Sequence, residues 1–402
     1  MIPRQRRAAV ATLLTLALSA PLLSATPAVS VNAAQIAPQV PYSSRLELPP
    51  PTGPYPVGRR TLHLVDRHRT EPWVPTAGNR ELMVTVSYPA RSASGLPATY
   101  MTDEEAQLLL AARGLDGVVP HETVAGARTH AHVAARPAPG HFPMVLLSPG
   151  FSMPRTTLTS IADDLASRGY VVASVDHAYE SVGTAFTGGR MLTCVACQRV
   201  DTEEERAAVV RGRVKDMSFV ISELTNGRQA GALSHVIDPS RIGIGGHSIG
   251  GATAAATMTA DRRVRAGVDL DGDFFVRPAA AGLGGRPFMM LGAESTHSPS
   301  PSSSSSSSSS RTTDWFEAWQ HLNGWKRWLT VAGAEHFSFT DLPYLAGQLG
   351  LSDPVVPLSG ERGWRITRDY VSAFFDLHLR GISQPLLDGP KATHPEVAFQ
   401  QP

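Results

Sequence analysis

The sequence is poor in cysteine. Its 402 residues hold two, Cys194 and Cys197, spaced as C-V-A-C. So low a number excludes a small fold stapled by many disulfides, and the absence of two further ligands nearby excludes a structural zinc site. In an exported chain such a pair is expected to close a local disulfide. A thioredoxin-like redox role would place C-x-x-C at the start of a helix in a βαβ unit, whereas this pair follows the irregular stretch GTAFTGGRML. Charge of one sign is lacking as well. Lys and Arg number 36 against 35 Asp and Glu, a net charge of +1. No block of like charge occurs, which excludes the basic footprint of a nucleic-acid binder and an acidic tail. The mixed-sign run Glu203–Asp216 reads as the solvated face of a helix. No repeat of fixed period occurs, so a solenoid or propeller is excluded.

The apolar stretch Ala8–Leu23 falls short of the roughly 20 residues a spanning helix requires. It lies behind Arg4, Arg6 and Arg7 and ahead of an Ala/Ser-rich zone ending near Ala34. Residues 1–34 therefore read as a cleavable signal peptide and the protein as secreted. The Arg6-Arg7 pair leaves the export route open between the general secretory and twin-arginine systems. Without a cysteine near the cleavage zone, a lipoprotein anchor is not expected. Residues 35–402 are expected to form a single domain, begun by a Pro-rich segment (35–58) running extended over the surface.

Within that domain, continuous apolar runs alternate with helical patterns. Met144–Leu147, Tyr170–Val175, Val264–Leu270, Pro287–Leu291 and Trp328–Val331 read as strands. Thr157–Arg168, Thr202–Leu224 and Ile366–Leu379 read as helices between and after them. Strands apolar on both faces imply a mostly parallel sheet covered by helices on both sides, an α/β architecture. Arg60–Val65 and Glu81–Tyr88 are two further strands. In the helix at 202–224, Val210, Val214, Met217, Ile221 and Leu224 recur at intervals of three and four and define its core face. Residues 99–113, opened by the N-cap pair Thr102-Asp103, are expected to be a structural helix, with a lid over the site as the alternative. Ser298–Ser310, nearly pure serine with two prolines, is expected to be a disordered surface loop.

The organising stretch is Arg241–Thr253, RIGIGGHSIGGAT. A short apolar strand meets a turn of small residues and then a helix, and Gly246-His247-Ser248-Ile249-Gly250 matches the G-x-S-x-G nucleophile elbow of α/β-hydrolases. A serine on so sharp a turn needs flanking glycines, because side chains there would collide with the crossing strand and helix. The helix start aims free N–H groups at any oxyanion formed beside Ser248.

A serine hydroxyl needs a base, and the base an orienting carboxylate. Fourteen histidines compete for the role. His247 adjoins Ser248 but points away along the elbow, His297 abuts the serine run, and His321 lies inside a helical pattern. His336 follows the strand Trp328–Val331 in the loop AGAEHFSFT, where the base of this fold belongs. For the acid, Asp269, Asp271 and Asp273 follow one strand and Glu294 the next. Asp271, at the strand end before Gly272, is preferred, with Glu294 next. The second oxyanion donor is expected from the turn Ser148-Pro149-Gly150-Phe151, pairing the N–H of Phe151 with that of Ile249.

GHSIGGAT, the Leu270-Asp271 pair, and H-F-S-F-T-D at His336–Asp341 resemble the platelet-activating factor acetylhydrolases and their bacterial α/β-hydrolase relatives. The resemblance extends over roughly residues 49–380, through Thr52–Gly58, Arg80-Glu-Leu, Tyr88-Pro89-Ala90 and Leu147–Phe151. It implies Ser248 as nucleophile, Asp271 as acid, His336 as base, and Phe151 and Ile249 as oxyanion amides. Two departures bear on substrate: Pro149 stands where eukaryotic members commonly carry His, and the serine run and C-V-A-C loop look like local insertions. The expectation is a monomeric serine ester hydrolase, free of cofactor and metal, cleaving short acyl groups from lipids with at most transient contact to a lipid interface. A triacylglycerol lipase or cutinase-like polyester hydrolase is the alternative, and a catalytically silent binding protein of the same fold is the alternative of another class.

Overall fold

A strand that must pack against helices on both sides has no polar face to spare, and the central strands obey this. In Phe142–Ser148, Met144 and Leu146 join one hydrophobic cluster while Val145 and Leu147 join the cluster on the opposite face. The computed structural model describes residues 45–226, 229–278, 280–299, 308–351 and 356–402, which fall in one compact unit. The expected signal peptide lies outside these residues, as do positions 300–307 of the serine run.

In chain order the strands are β1 (Val57–Thr70), β2 (Asn79–Pro89), β3 (Ala131–Val133), β4 (Phe142–Ser148), β5 (Val171–His177), β6 (Thr184–Phe186), β7 (Arg190–Leu192), β8 (Ile237–His247), β9 (Val264–Leu270), β10 (Phe288–Ala293), β11 (Lys326–Val331) and β12 (Val397–Gln400). Ten of them form one sheet in the order β12-β11-β10-β9-β8-β4-β5-β2-β1-β3, and β6 and β7 make a separate hairpin. The pairs from β5 through β4, β8, β9 and β10 to β11 are parallel. β1, β2 and β12 join antiparallel at the flanks.

The helices are α1 (Asp103–Ala112), α2 (His121–Ala125), α3 (Thr159–Ser167), α4 (Glu203–Asn226), α5 (Ile249–Ala260), α6 (Glu294–His297), α7 (Ser308–His321), α8 (Leu342–Gln348) and α9 (Gly360–Arg380). α4, α5 and α7 cover one face of the sheet and α3 and α9 the other. The helix expected over residues 99–113 is α1, with Thr102 and Glu105 forming a reciprocal capping box. α1, α2 and α8 share a third cluster at the C-terminal edge of the sheet, and Leu46 and Leu48 are buried in it. The Pro-rich segment is thus anchored there by two leucines rather than lying wholly on the surface.

Two expectations need correction. The serine run is not irregular to its end, since α7 begins at Ser308. The mixed-charge run in α4 is not wholly a solvated face. Glu203, Glu204 and Glu205 are exposed, but Arg213 and Asp216 are buried, paired with groups from other elements. Charge pattern alone does not separate a carboxylate facing water from one facing a guanidinium.

Candidate active site

Ser248 sits between the last residue of β8 and the first of α5 with φ 58° and ψ −129°, a conformation L-residues rarely adopt. Holding a residue there costs about 1–3 kcal/mol and requires surroundings that over-determine it. Its N–H donates to the Leu270 carbonyl at 2.8 Å, and its own carbonyl accepts from the Gly251 N–H at 2.8 Å. The flanking glycines are forced by space. A Cβ on Gly250 would lie 2.0 Å from the Ser148 carbonyl oxygen, and one on Gly246 would lie 2.4 Å from the Gly250 carbonyl carbon.

Of the four carboxylates the sequence offers, one reaches His336. Asp271 follows β9, also at positive φ, and its Oδ2 accepts from His336 Nδ1 at 2.6 Å. Its Oδ1 accepts from the Ala293 N–H at 2.6 Å and lies 3.5 Å from Nε2 of His297. Burial alone would raise the Asp271 carboxyl. The imidazoles of His297 and His336 and the Ala293 amide outweigh burial and hold it at about 2. Asp269 turns toward the elbow instead, where its Oδ1 accepts from the Gly272 N–H at 2.9 Å. Burial, then the neighbouring Asp271 charge, raises it well above the usual carboxylate range. Glu294 is exposed at the start of α6, and Asp273 is half-buried one residue beyond Gly272.

Two other histidines support this pair. His247 is buried, its Nε2–H donates to the His336 carbonyl at 2.7 Å, and the two rings lie 4.6 Å apart. Burial, then the adjacent His336, pushes His247 down to about 3, so it is neutral at physiological pH. It is a prop for the His336 loop. His297 is buried beside Asp271 and stacks on Trp315 at 3.9 Å. The sequence offered no signal for this, because the serine run following His297 suggested a surface position. His321 bonds the Pro278 carbonyl at 2.8 Å, away from the pair.

The turn after β4 closes over Ser248. A Cβ on Gly150 would lie 3.4 Å from the Ser248 Cβ. The amides of Ser152, Met153, Gly251 and Ala252 are all taken up by backbone carbonyls, whereas those of Phe151 and Ile249 have no acceptor among the described residues. The side chains of Phe151 and Ile249 share a cluster with Cys194, which is disulfide-bonded to Cys197. The expected local bridge is therefore present, and it backs one wall of the site.

A mainly apolar cavity of about 990 Å³ opens beside His336 between α1 and α8, lined in part by Leu109, Leu110, Leu345 and Leu349. The Arg113 guanidinium stacks over Phe337 at 4.1 Å on its wall. α1 thus borders the cavity while its Leu109 and Leu110 pack in the third cluster, as expected of a structural helix. Among the described residues no group of three His, Cys, Asp or Glu side chains is arranged to hold a metal ion.

The platelet-activating factor acetylhydrolase, isoform II, family model matches residues 41–353. A probable 1-alkyl-2-acetylglycerophosphocholine esterase of Arthroderma benhamiae is 27% identical over 88% of this chain and 93% of its own length. The platelet-activating factor acetylhydrolase of Cavia porcellus is 26% identical over 52% of this chain and 50% of its own. Among solved structures, a ferulic acid esterase from Streptomyces cinnamoneus superposes with a TM-score of 0.77 at 43% identity, covering 89% of this chain and all of that one.

Proposed function

We propose, from the premise that the chain belongs to the platelet-activating factor acetylhydrolase family, that it hydrolyses carboxylic esters through an acyl-enzyme on Ser248. The chain is an ester hydrolase of that family on the α/β-hydrolase fold. The observation that carries the mechanism is the 2.6 Å bond between Asp271 and His336, beside a serine held at positive φ on a helix N-terminus. With the Nδ1–H of His336 donated to Asp271, Nε2 is left to accept the Ser248 proton as Oγ attacks the ester carbonyl carbon. The tetrahedral oxyanion then meets the unoccupied N–H groups of Phe151 and Ile249. On collapse, His336 returns the proton to the departing alcohol oxygen. Water, deprotonated by the same nitrogen, releases the acid and restores Ser248.

The apolar cavity beside His336 supports a substrate with an extended apolar arm, such as a lipid bearing a short acyl group. A second reading, an aromatic acrylate ester, is favoured by the 43% identity to the ferulic acid esterase. A p-nitrophenyl ester series from acetate to long chains, run beside a 2-acetyl phospholipid and methyl ferulate, separates them. Lipid esterase function predicts kcat/KM for the phospholipid at least tenfold above that for methyl ferulate, and the opposite order refutes it. The reading of residues 1–34 as an export signal, and of the mature enzyme as a secreted monomer, is tested by the N-terminal sequence and sedimentation of protein recovered from culture medium. An intact Met1 retained in cells refutes secretion.

A further inference from the structure

Behind the turn that carries Phe151 lies a second Ser–His–Asp chain that no motif announces. The Ser148 hydroxyl meets His177 Nε2 at 3.0 Å, and His177 Nδ1 meets Asp216 Oδ2 at 2.8 Å. All three are buried to within 1% of complete exclusion. Three guanidiniums close the network, Arg69 through Asp216 Oδ1 at 2.8 Å. Arg80 bonds Asp216 Oδ2 at 2.6 Å and also reaches Glu71 and Glu180. Arg213 bonds Glu180 Oε2 at 2.7 Å, the Pro149 carbonyl at 2.6 Å and Ser148 Oγ at 3.2 Å.

The proton positions follow from chemistry. Burial opposes charge on Asp216, but Arg80 and His177 hold it ionised, below the usual carboxylate range. Burial, then the Arg213 charge, keeps His177 neutral. His177 Nδ1–H therefore donates to Asp216, leaving Nε2 to accept from the Ser148 hydroxyl, while Ser148 Oγ accepts from Arg213. No ester can reach Ser148, because it is buried together with His177 and Asp216. The network connects to the site through the turn, by the Arg213 bond to the Pro149 carbonyl.

That turn needs anchoring. Ser152, immediately after Phe151, has φ 65° and is bridged by backbone to Ser181, two residues after Tyr179, which has φ 62°. The Ser152 N–H donates to the Glu180 carbonyl at 3.0 Å, and the Val182 N–H donates to the Ser152 carbonyl at 2.9 Å. The Glu180 side chain is in turn held by Arg213 and by the Trp73 indole N–H at 3.0 Å. Arg213 thus grips the residue two before Phe151 through the Pro149 carbonyl and the residue one after it through Glu180. Two residues held at positive φ persist only when their neighbours leave no alternative.

We propose that Arg213 and Glu180 are positioning residues that aim the Phe151 N–H at the oxyanion, with Ser148, His177 and Asp216 as their buried anchor. This rests on the reading of Phe151 as an oxyanion donor to an ester attacked by Ser248. Removing one such donor outright costs about 10²–10³ in kcat, so misaiming it falls below that ceiling.

Arg213→Lys keeps the charge but cannot span Glu180 and Pro149 with one planar fork. It is expected to lower kcat for p-nitrophenyl acetate about 10- to 100-fold with KM changed less than about threefold. Affinity for an aryl boronic acid, which forms an anionic tetrahedral adduct on the nucleophile, should fall by the same factor as kcat/KM. Glu180→Gln, nearly isosteric, serves the same comparison if Arg213→Lys does not fold. Either variant, folded and with kcat within twofold of the parent, overturns the positioning role. Fluorophosphonate label at Ser148, found by peptide mapping, overturns the assignment of that serine as anchor. Ser248→Ala separates the two levels. If it still labels and turns over, the underlying reading falls and this one with it. If it is inert while folded Arg213→Lys keeps its kcat, only the positioning role falls.

Discussion

Replacing Asp271 by asparagine tests the site at the atom where its geometry is most constrained. The carboxylate has two duties, accepting from His336 Nδ1–H through Oδ2 and from the Ala293 N–H through Oδ1, each at 2.6 Å. Asparagine has one acceptor oxygen. The backbone N–H of Ala293 cannot change its character, so the amide oxygen must face it and the NH₂ must face His336. Nδ1 is then forced to accept, the proton moves to Nε2, and the nitrogen meant to take the serine proton is blocked. In the worked serine-protease example the same change lowers kcat about 10⁴-fold. A loss of a thousandfold or more is expected here. The cost to folding is smaller. A carboxyl shifted from 3.8 to about 2 contributes on the order of 2 kcal/mol above its unfolded value. That contribution is lost as pH falls through about 2. Melting at neutral pH should therefore drop by only a few degrees. The assay is kcat for p-nitrophenyl acetate beside the melting temperature, with Glu294→Gln and Asp269→Asn as comparisons. Glu294→Gln, at an exposed helix start, should lose less than about tenfold. Asp269→Asn should fall between the two, since its carboxyl braces Gly272 beneath the elbow. A dead Glu294→Gln beside an active Asp271→Asn would refute the assignment of the acid.

Further expectations follow from single contacts. Ser248→Ala should abolish fluorophosphonate labelling and lower kcat by several orders of magnitude, and unchanged labelling would count against the elbow. Gly250→Ala places a Cβ 2.0 Å from the Ser148 carbonyl oxygen, so denaturant unfolding should show a loss of about 3 kcal/mol or more. Gly212→Ala, inside α4 where an added Cβ meets nothing within 4 Å, should instead gain about 0.5–1 kcal/mol. Neutral, buried His247 resists protonation down to about 3, against 6.5 in the unfolded chain. The unfolded state therefore binds more protons in that window, and stability falls as pH drops through it. His247→Gln should flatten the acid slope of the urea midpoint, and an unchanged slope would remove His247 as its cause.

What the sequence determined by itself was whatever local sterics and burial dictate. A serine at positive φ between two glycines is legible because no larger residues fit against the Ser148 carbonyl, and β4, β5, β9 and β11 are legible because strands covered on both faces must be apolar throughout. His336 could be proposed because it lies just past such a strand. The choice among Asp269, Asp271 and Glu294 belonged to the tertiary structure. Successive strand residues face opposite ways, and only the meeting of the β9 end with the His336 loop decides which carboxylate has a partner. β12 was missed because four residues beyond the terminal helix carry no periodicity, and their pairing with β11 comes from a distant part of the chain. The buried charges were the least legible of all. Arg80 and Asp216 lie 136 residues apart, and Arg213 and Glu180 lie 33 apart. An ionised side chain reads as solvated until folding brings its counter-charge close enough to replace water.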